Sequence, residues 1–152
     1  LARDAGELEL VEVEASEVPG RMDAFLDQAA ESFPEKASFF SRPDMHDWFR
    51  ALAEEFAKDR IFRLHELHVG GLPAASTVSL IGGGEWGLYN SAFDPMLSSL
   101  APGLVIINLL IERAAEEGCR VFDLLRGDEP YKYRFGAVDR ELQRLIIGRP
   151  TA

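Results

Sequence analysis

The chain has 152 residues, 47% of them hydrophobic, which is enough for one globular domain with a real core. Its 16 basic and 26 acidic residues give a formal net charge of −10, which argues against binding DNA or anionic membranes through bulk positive charge. One cysteine, Cys119, excludes an internal disulfide and a cysteine-rich zinc module.

The first part of the chain predicts one strand and two helices. Apolar and acidic residues alternate over residues 8–13, which is typical of a strand at the edge of a sheet. Apolar residues recur at three- and four-residue steps over residues 17–32, where Ser16 is a candidate N-cap. A second helix follows Pro43, and its predicted apolar stripe contains Met45, Trp48, Phe49, Leu52 and Phe56.

The middle of the chain predicts an antiparallel meander. Strand-like runs cover residues 61–69, 72–81 and 85–93. They are separated by short glycine runs, and glycine is the residue that tight hairpins need where φ is positive. We therefore expect three consecutive antiparallel strands.

The last part of the chain predicts a crossover. Pro102 and Gly103 precede a largely buried helix over residues 104–117. The apolar run at 121–125 is typical of a central strand, and the intervening helix makes it parallel to the strand before it. A short helix over 129–135 and a strand over 142–147 follow. The expected fold class is α+β, with a mixed, mostly antiparallel sheet, a central parallel strand pair and flanking helices.

A ligand of such a parallel pair is expected at the carboxyl ends of the strands, facing the N-terminus of the crossover helix. Residues 90–95 and 101–103 lie there in the predicted order. A helix N-terminus offers unpaired N–H groups and about half a positive charge, so a phosphate can bind there even on an acidic protein. Ordinary helix initiation by Pro-Gly is the alternative interpretation.

The densest set of functional side chains follows the run at 121–125. Two tyrosines and three cations lie within nine residues: Arg126, Tyr131, Lys132, Tyr133 and Arg134. A solvated turn with a helix capped by Asp128 is the alternative. Asp123, inside the apolar run, requires either a hydrogen bond or a raised pKa, and we expect a structural hydrogen bond.

The histidines and the cysteine indicate neither a metal site nor a nucleophile. His65 and His68 are three apart on a predicted strand, so they point to opposite faces. His46 has no metal-ligating partner in helical register. Cys119 is interpreted as a buried spacer. We expect no metal.

Three motifs between residues 89 and 136 resemble the acetyltransferase-like domain of the GNAT superfamily. They are YNSAFDP at 89–95, SLAPG at 99–103 and FDLLRGDEPYK at 122–132. More narrowly, the chain resembles the subgroup linked to cellulose and exopolysaccharide biosynthesis, which is related to the Fem-type aminoacyl transferases of peptidoglycan assembly. The resemblance covers about the last two thirds of the chain, and the first third matches by element order alone.

This resemblance implies a GNAT-like fold with acetyl-CoA or another acyl-CoA as donor. Residues 86–92, above all Asn90, Ser91 and Ala92, would flank the pantetheine arm. The pyrophosphate would face Pro102, Gly103 and Leu104, of which only Gly103 matches the usual phosphate loop of the superfamily.

Amine acylation by direct attack needs a proton acceptor for the amine and an acid for the departing thiolate. Tyr131 or Tyr133 is the predicted acid, and since they are two apart on a helical turn, only one can face the cleft. Asp128 or Asp123 is the predicted base. Arg126 and Lys132 are predicted to bind the acceptor, a small molecule or a glycan precursor such as an amino sugar.

Two other hypotheses stay open. A Fem-like transferase would use aminoacyl-tRNA, against which the net charge of −10 argues, although Arg126, Lys132 and Arg134 form a local basic patch. A degenerate, non-catalytic domain would serve assembly or acceptor docking, as the weak phosphate loop suggests.

Residues 1–152 are expected to form a single soluble cytoplasmic domain without a membrane span. Because the chain opens at Leu1 without a signal-peptide pattern, we also expect an upstream domain in a longer chain.

Overall fold

The computed structural model describes residues 6–145 and contains a five-stranded sheet with helices on both faces. In chain order its strands and helices are β1 (Leu8–Glu12), α1 (Val18–Ser32), α2 (Ala37–Phe40), α3 (Pro43–Phe56), β2 (Phe62–Val69), β3 (Leu72–Gly82), β4 (Glu85–Phe93), α4 (Pro102–Glu116), β5 (Val121–Asp123) and α5 (Pro130–Arg134). Short 3₁₀ turns lie at Pro34–Lys36 and Pro95–Leu100. Over the same residues, no helix combines the length and apolar character needed to cross a membrane.

The strands are ordered β1-β2-β3-β4-β5, antiparallel except for the parallel pair β4 and β5. The mixed, mostly antiparallel sheet, the edge position of β1 and the parallel pair joined by α4 are therefore confirmed. Within the described sheet, however, β5 is the last strand and not a central one. Of the strand expected at 142–147, residues 142–145 form no strand, and residues 146–147 lie outside the described part.

Two details of the first helices differ from expectation. Glu17, not Ser16, occupies the N-cap of α1, and no side chain caps that terminus. In α3, Phe49 is buried, but Trp48 and Phe56 are 51% and 37% exposed. Because α3 packs mainly against α1 and β2, only a narrow part of its apolar stripe is in contact with the rest of the molecule.

The core has one layer on each face of the sheet. On one face, α1 and α3 bury Met22, Phe25, Leu26, Phe49, Phe62, Leu64 and Val78. On the other, α4 and the sheet bury Leu67, Trp86, Leu88, Ile106 and Leu110. Because each fully buried large apolar side chain contributes about 1.5–3 kcal/mol, this second layer holds α4 firmly on the sheet and fixes the position of its N-terminus.

A polar group interrupts the core below α4. His65 is fully buried, its Nε2 lies 3.7 Å from Glu12 Oε2, and its ring lies 5.4 Å from that of Trp86. Arg63 donates from Nη1 to Glu117 at 2.7 Å.

His68 is only partly buried and lies beyond a β-bulge after Leu67. Among residues 6–145, no three histidine, cysteine or acidic side chains converge as a metal site would require.

Candidate active site

The parallel strands pair only briefly. Glu85, Trp86 and Gly87 of β4 face β5, and the last pair joins Gly87 to Asp123. β4 continues to Phe93, so its second half has no strand partner on that side within the described part of the chain. On the side of β3, Asn90 pairs with Val78 and Leu88 with Ser79, which leaves Tyr89 as a bulge. Unpaired backbone groups in a bulged strand are available to a ligand that lies along it.

The N-terminus of α4 faces this half of β4. Ala101 has a left-handed backbone, with φ of 49°, and Pro102 starts the helix without any side-chain cap. Asp94 instead caps the preceding 3₁₀ turn by accepting the Met96 N–H at 2.8 Å. The partial positive charge of α4 is therefore not offset by a capping side chain. A Cβ at Gly103 would lie 3.5 Å from the Phe93 ring, so the position tolerates a side chain.

A cavity of about 220 Å³ lies between β4 and α4, and we call it the β4–α4 cavity. It brings together five residues that the sequence predicts at the ligand site: Ser91, Pro102, Gly103, Leu104 and Tyr131. Asn90 and Ala92 do not line it. Ala92 belongs to the core layer under α1 and α3, and the Asn90 side chain accepts the Ser91 N–H at 2.9 Å.

A larger cavity of about 470 Å³ lies on the α3 side of the sheet, and we call it the α3–β5 groove. Its lining is mostly apolar, with two carboxylates, and consists of Leu52, Phe56, Ile61, Leu80, Ile81, Gly82, Glu85, Gly87, Asp123 and Leu125. Sequence reasoning missed this groove. The one available signal was Gly87, because glycine inside a strand often marks close approach of another group to the backbone.

Lys132 organises the loop after β5. Its ammonium donates to the carbonyl oxygens of Leu125, Arg126 and Gly127 at 3.2, 3.0 and 3.1 Å. It also lies 2.9 Å from a carboxylate oxygen of Glu129, whose pKa is lowered first by this interaction. Lys132 is only 6% exposed. Its ammonium group, which was predicted to bind the acceptor, is therefore engaged by its own loop.

The same loop has a strained backbone. Leu125 has φ of 54° and Gly127 has φ of 119°. At the φ of Gly127 any residue other than glycine would be strained. The four contacts of Lys132 therefore hold a conformation that the local sequence alone would not favour.

The two tyrosines have different surroundings. Tyr131 is half-buried in the wall of the β4–α4 cavity, and burial, followed by the negative charge of Glu129, raises its pKa. Tyr133 is 46% exposed, and its hydroxyl donates to Asp139 at 3.0 Å, which raises its pKa. Both hydroxyls are therefore protonated at neutral pH, but only Tyr131 lines the cavity.

Of the acidic and basic residues predicted for the site, Asp123 alone lines either cavity. Asp123 lines the α3–β5 groove, and its Oδ1 accepts the Leu125 N–H at 2.7 Å, which is the structural hydrogen bond expected for it. Asp128 and Arg126 are exposed on the loop. Cys119 is half-buried against the core layer below α4.

Comparison with known proteins gives a family and a fold. The family described as "Acetyltransferase (GNAT) domain" matches residues 1–133. No curated protein matches the chain significantly. A GCN5-related N-acetyltransferase from Ralstonia eutropha JMP134 is 18% identical, with a TM-score of 0.68 over 93% of this chain and 100% of that one.

Two further solved structures carry ligands. A predicted acetyltransferase from Clostridium acetobutylicum, solved with acetyl-CoA, is 8% identical with a TM-score of 0.67, over 93% of this chain and 96% of that one. An aminoglycoside acetyltransferase from an uncultured soil metagenomic sample, solved with sisomicin, is 14% identical with a TM-score of 0.59, over 93% and 97% of the two chains. At these identities the likeness shows the fold alone.

Proposed function

Because the chain belongs to the acetyltransferase (GNAT) domain family, we propose that it transfers an acyl group from acyl-CoA to the nitrogen of an amine. One observation carries this proposal. The α3–β5 groove contains Gly87 and Asp123, the last pair between β4 and β5, and the β4–α4 cavity contains Ser91 and Phe93, farther along the same strand. A donor that extends along β4 from the β4–α4 cavity toward Gly87 would meet an acceptor bound in the groove.

The donor is proposed to lie along the second half of β4. Its pyrophosphate would bind at the N-terminus of α4, near Pro102, Gly103 and Leu104, where the helix dipole favours negative charge. Its pantetheine arm would follow Asn90, Ser91 and Ala92 through backbone contacts, because this side of β4 has no neighbouring strand in the described sheet. The thioester would then lie near Leu88 and Tyr89.

In the reaction the amine nitrogen attacks the thioester carbonyl carbon, a C–N bond forms and the C–S bond breaks. The departing thiolate takes a proton from Tyr131, whose raised pKa keeps it protonated until that step. Before the attack the ammonium form of the amine loses one proton to Asp123 or Asp128, directly or through water, and the second proton, released as the amide forms, restores the Tyr131 hydroxyl. Tyr133 is the weaker candidate for the acid because it lies outside the cavity and is bonded to Asp139.

Arg126 is proposed to contact an acceptor from the exposed rim of the loop, whereas Lys132 is proposed to act through the loop it holds. The sequence resemblance points to an amino sugar or polysaccharide precursor as acceptor, and some proteins of similar fold are aminoglycoside acetyltransferases. The cytoplasmic setting and the upstream domain stay predictions.

The test is an assay of the full chain with acetyl-CoA and a panel of primary amines, in which free CoA is measured by a thiol reagent and the amide by mass spectrometry. We expect amine-dependent release of one CoA per amide formed. A chain that neither binds acetyl-CoA in calorimetry nor forms amide would be the non-catalytic module. Product formed only with aminoacyl-tRNA would identify the Fem-like transferase.

A further inference from the structure

The α3–β5 groove has a mostly apolar lining that contains two carboxylates. Six of its ten lining residues carry apolar side chains: Leu52, Phe56, Ile61, Leu80, Ile81 and Leu125. The remaining four are two glycines and the carboxylates Glu85 and Asp123. A polyhydroxylated acceptor would find few hydrogen-bond partners on such a surface, and each hydroxyl group that lost water without a partner would weaken binding.

The two carboxylates are placed together on the strand pair. Glu85 and Gly87 lie two apart on β4, and Asp123 is the register partner of Gly87 on β5. Glu85 is exposed, and only one oxygen of Asp123 is engaged by the Leu125 N–H. A cationic amine is complementary to this acidic end of the groove, and the overall charge of −10 favours its approach.

The floor of the groove is backbone. A Cβ on Gly87 would lie 3.3 Å from the Leu80 carbonyl oxygen and 3.6 Å from a methyl group of Leu125. The glycine therefore lets these neighbours approach β4 closely, at the last residue before the strands stop pairing. An amine held there is next to the proposed position of the thioester.

We propose that the acceptor is a primary amine on an apolar body, with the ammonium group at Glu85 and Asp123 and the apolar body between Leu52, Phe56 and Leu125. The proposal rests on the acyl-CoA-dependent function above and names the acceptor class for it. Free volume of about 470 Å³ is in the range of small-molecule sites and far larger than one methylene, so the body extends over several carbons.

The experiment uses the n-alkylamine series from propylamine to hexylamine, with acetyl-CoA as donor and the full chain as enzyme. Because these amines have nearly equal basicity, differences in kcat/KM along the series report the contribution of apolar contact. Each buried methylene is worth about 0.8 kcal/mol, so we expect kcat/KM to rise about fourfold per added carbon. The kcat/KM for hexylamine should exceed that for glucosamine by about 10²-fold or more.

Variants test whether the preference for longer alkylamines arises in the α3–β5 groove. Phe56→Ala should lower kcat/KM for hexylamine by about tenfold, whereas Trp48→Ala, an exposed aromatic change on the same helix outside the groove, should leave it within about twofold. Glu85→Gln should raise KM for every alkylamine several-fold with little change in kcat and no change in the Kd of acetyl-CoA.

The outcomes separate this proposal from the function it rests on. Acetylation of glucosamine with a flat alkylamine series would overturn the apolar acceptor and leave the acyltransferase intact. Absence of acetyl-CoA binding would overturn both. A dimer in light scattering that Phe56→Ala dissociates would show that a second copy of the chain covers the groove, and this would also overturn the proposal.

Discussion

Gly87 of β4 and Asp123 of β5 form the last pair between the two parallel strands. Before this pair β4 has a neighbouring strand on each edge, and after it the second half of β4 pairs with β3 alone, within the described sheet, as it runs toward the N-terminus of α4. The proposed acceptor groove includes this pair, and the proposed donor cavity lies beyond it, where the free edge of β4 exposes backbone groups that a neighbouring strand would otherwise use.

Gly103→Glu should abolish or strongly weaken acetyl-CoA binding in calorimetry. The change places a negative charge against the pyrophosphate, yet the 3.5 Å space to the Phe93 ring accepts a Cβ and the helix dipole favours an acid in the first turn. The matched control is Gly103→Gln, which has the same shape without the charge and should bind far better. Equal affinity in the two folded variants would mean that the phosphates bind elsewhere.

Tyr131→Phe should lower kcat by about 10²-fold or more with little change in the Kd of acetyl-CoA, which is the usual scale for loss of a general acid. Tyr133→Phe is its control, since Tyr133 lies outside the β4–α4 cavity, and it should retain nearly full turnover. The reverse ranking in stopped-flow or steady-state kinetics would assign the acid role to Tyr133.

Lys132→Ala should destabilise the fold by about 2–4 kcal/mol, because three loop carbonyls and the Glu129 carboxylate lose a buried cation. Urea unfolding measures the loss. Arg134→Ala, an exposed cation on the same helix, should change the free energy of unfolding by less than about 0.5 kcal/mol. Unchanged stability together with a raised KM for the amine would instead support the direct acceptor contact predicted from the sequence.

Glu12 should make folding sensitive to acid. Its pKa is lowered from 4.5 to about 2, chiefly by the polar interaction of its carboxylate with the His65 ring. The positive charges of His65, Arg60 and Arg63 lower the pKa further, while burial acts in the opposite direction. Because the folded pKa is lower than the unfolded one, the stabilisation is complete above pH 4.5 and is lost as the pH falls toward 2.

Glu12→Gln should therefore lower the free energy of unfolding at neutral pH by up to about 3 kcal/mol, and the difference from wild type should vanish near pH 2. Denaturant titrations at several pH values measure it. Glu9→Gln, an exposed change on the same strand, is the control. A difference that is constant from pH 7 to pH 2 would contradict the proposed role of the Glu12 carboxylate.

The sheet and α4 were predictable because their signals are local. Glycine turns separate β2 from β3 and β3 from β4, and the apolar residues of α4 cover most of its surface. The short α2 was missed because four residues carry too little periodicity. The terminal position of β5 was also missed, since a run of apolar residues does not reveal how many neighbours a strand has.

The site was predictable only in part. SLAPG and the tyrosine-rich loop indicated the residues that line the β4–α4 cavity, since they adjoin α4 and β5 in sequence. The α3–β5 groove had only the isolated signal of Gly87, because Leu52, Leu80 and Leu125 are distant in sequence and meet only in the folded chain. The contacts of Lys132 were hidden for a related reason: carbonyl groups that converge on a cation leave no trace in side-chain pattern.

The most direct test of the two-cavity account is a crystal structure of the full chain with a bisubstrate compound that joins CoA to hexylamine through an acetyl linker. We predict the pyrophosphate at the Gly103 end of α4, the linker beside Leu88 and Tyr89, and the hexyl chain in the α3–β5 groove against Phe56. A pyrophosphate bound elsewhere, or a hexyl chain outside the groove with the CoA in place, would contradict the account.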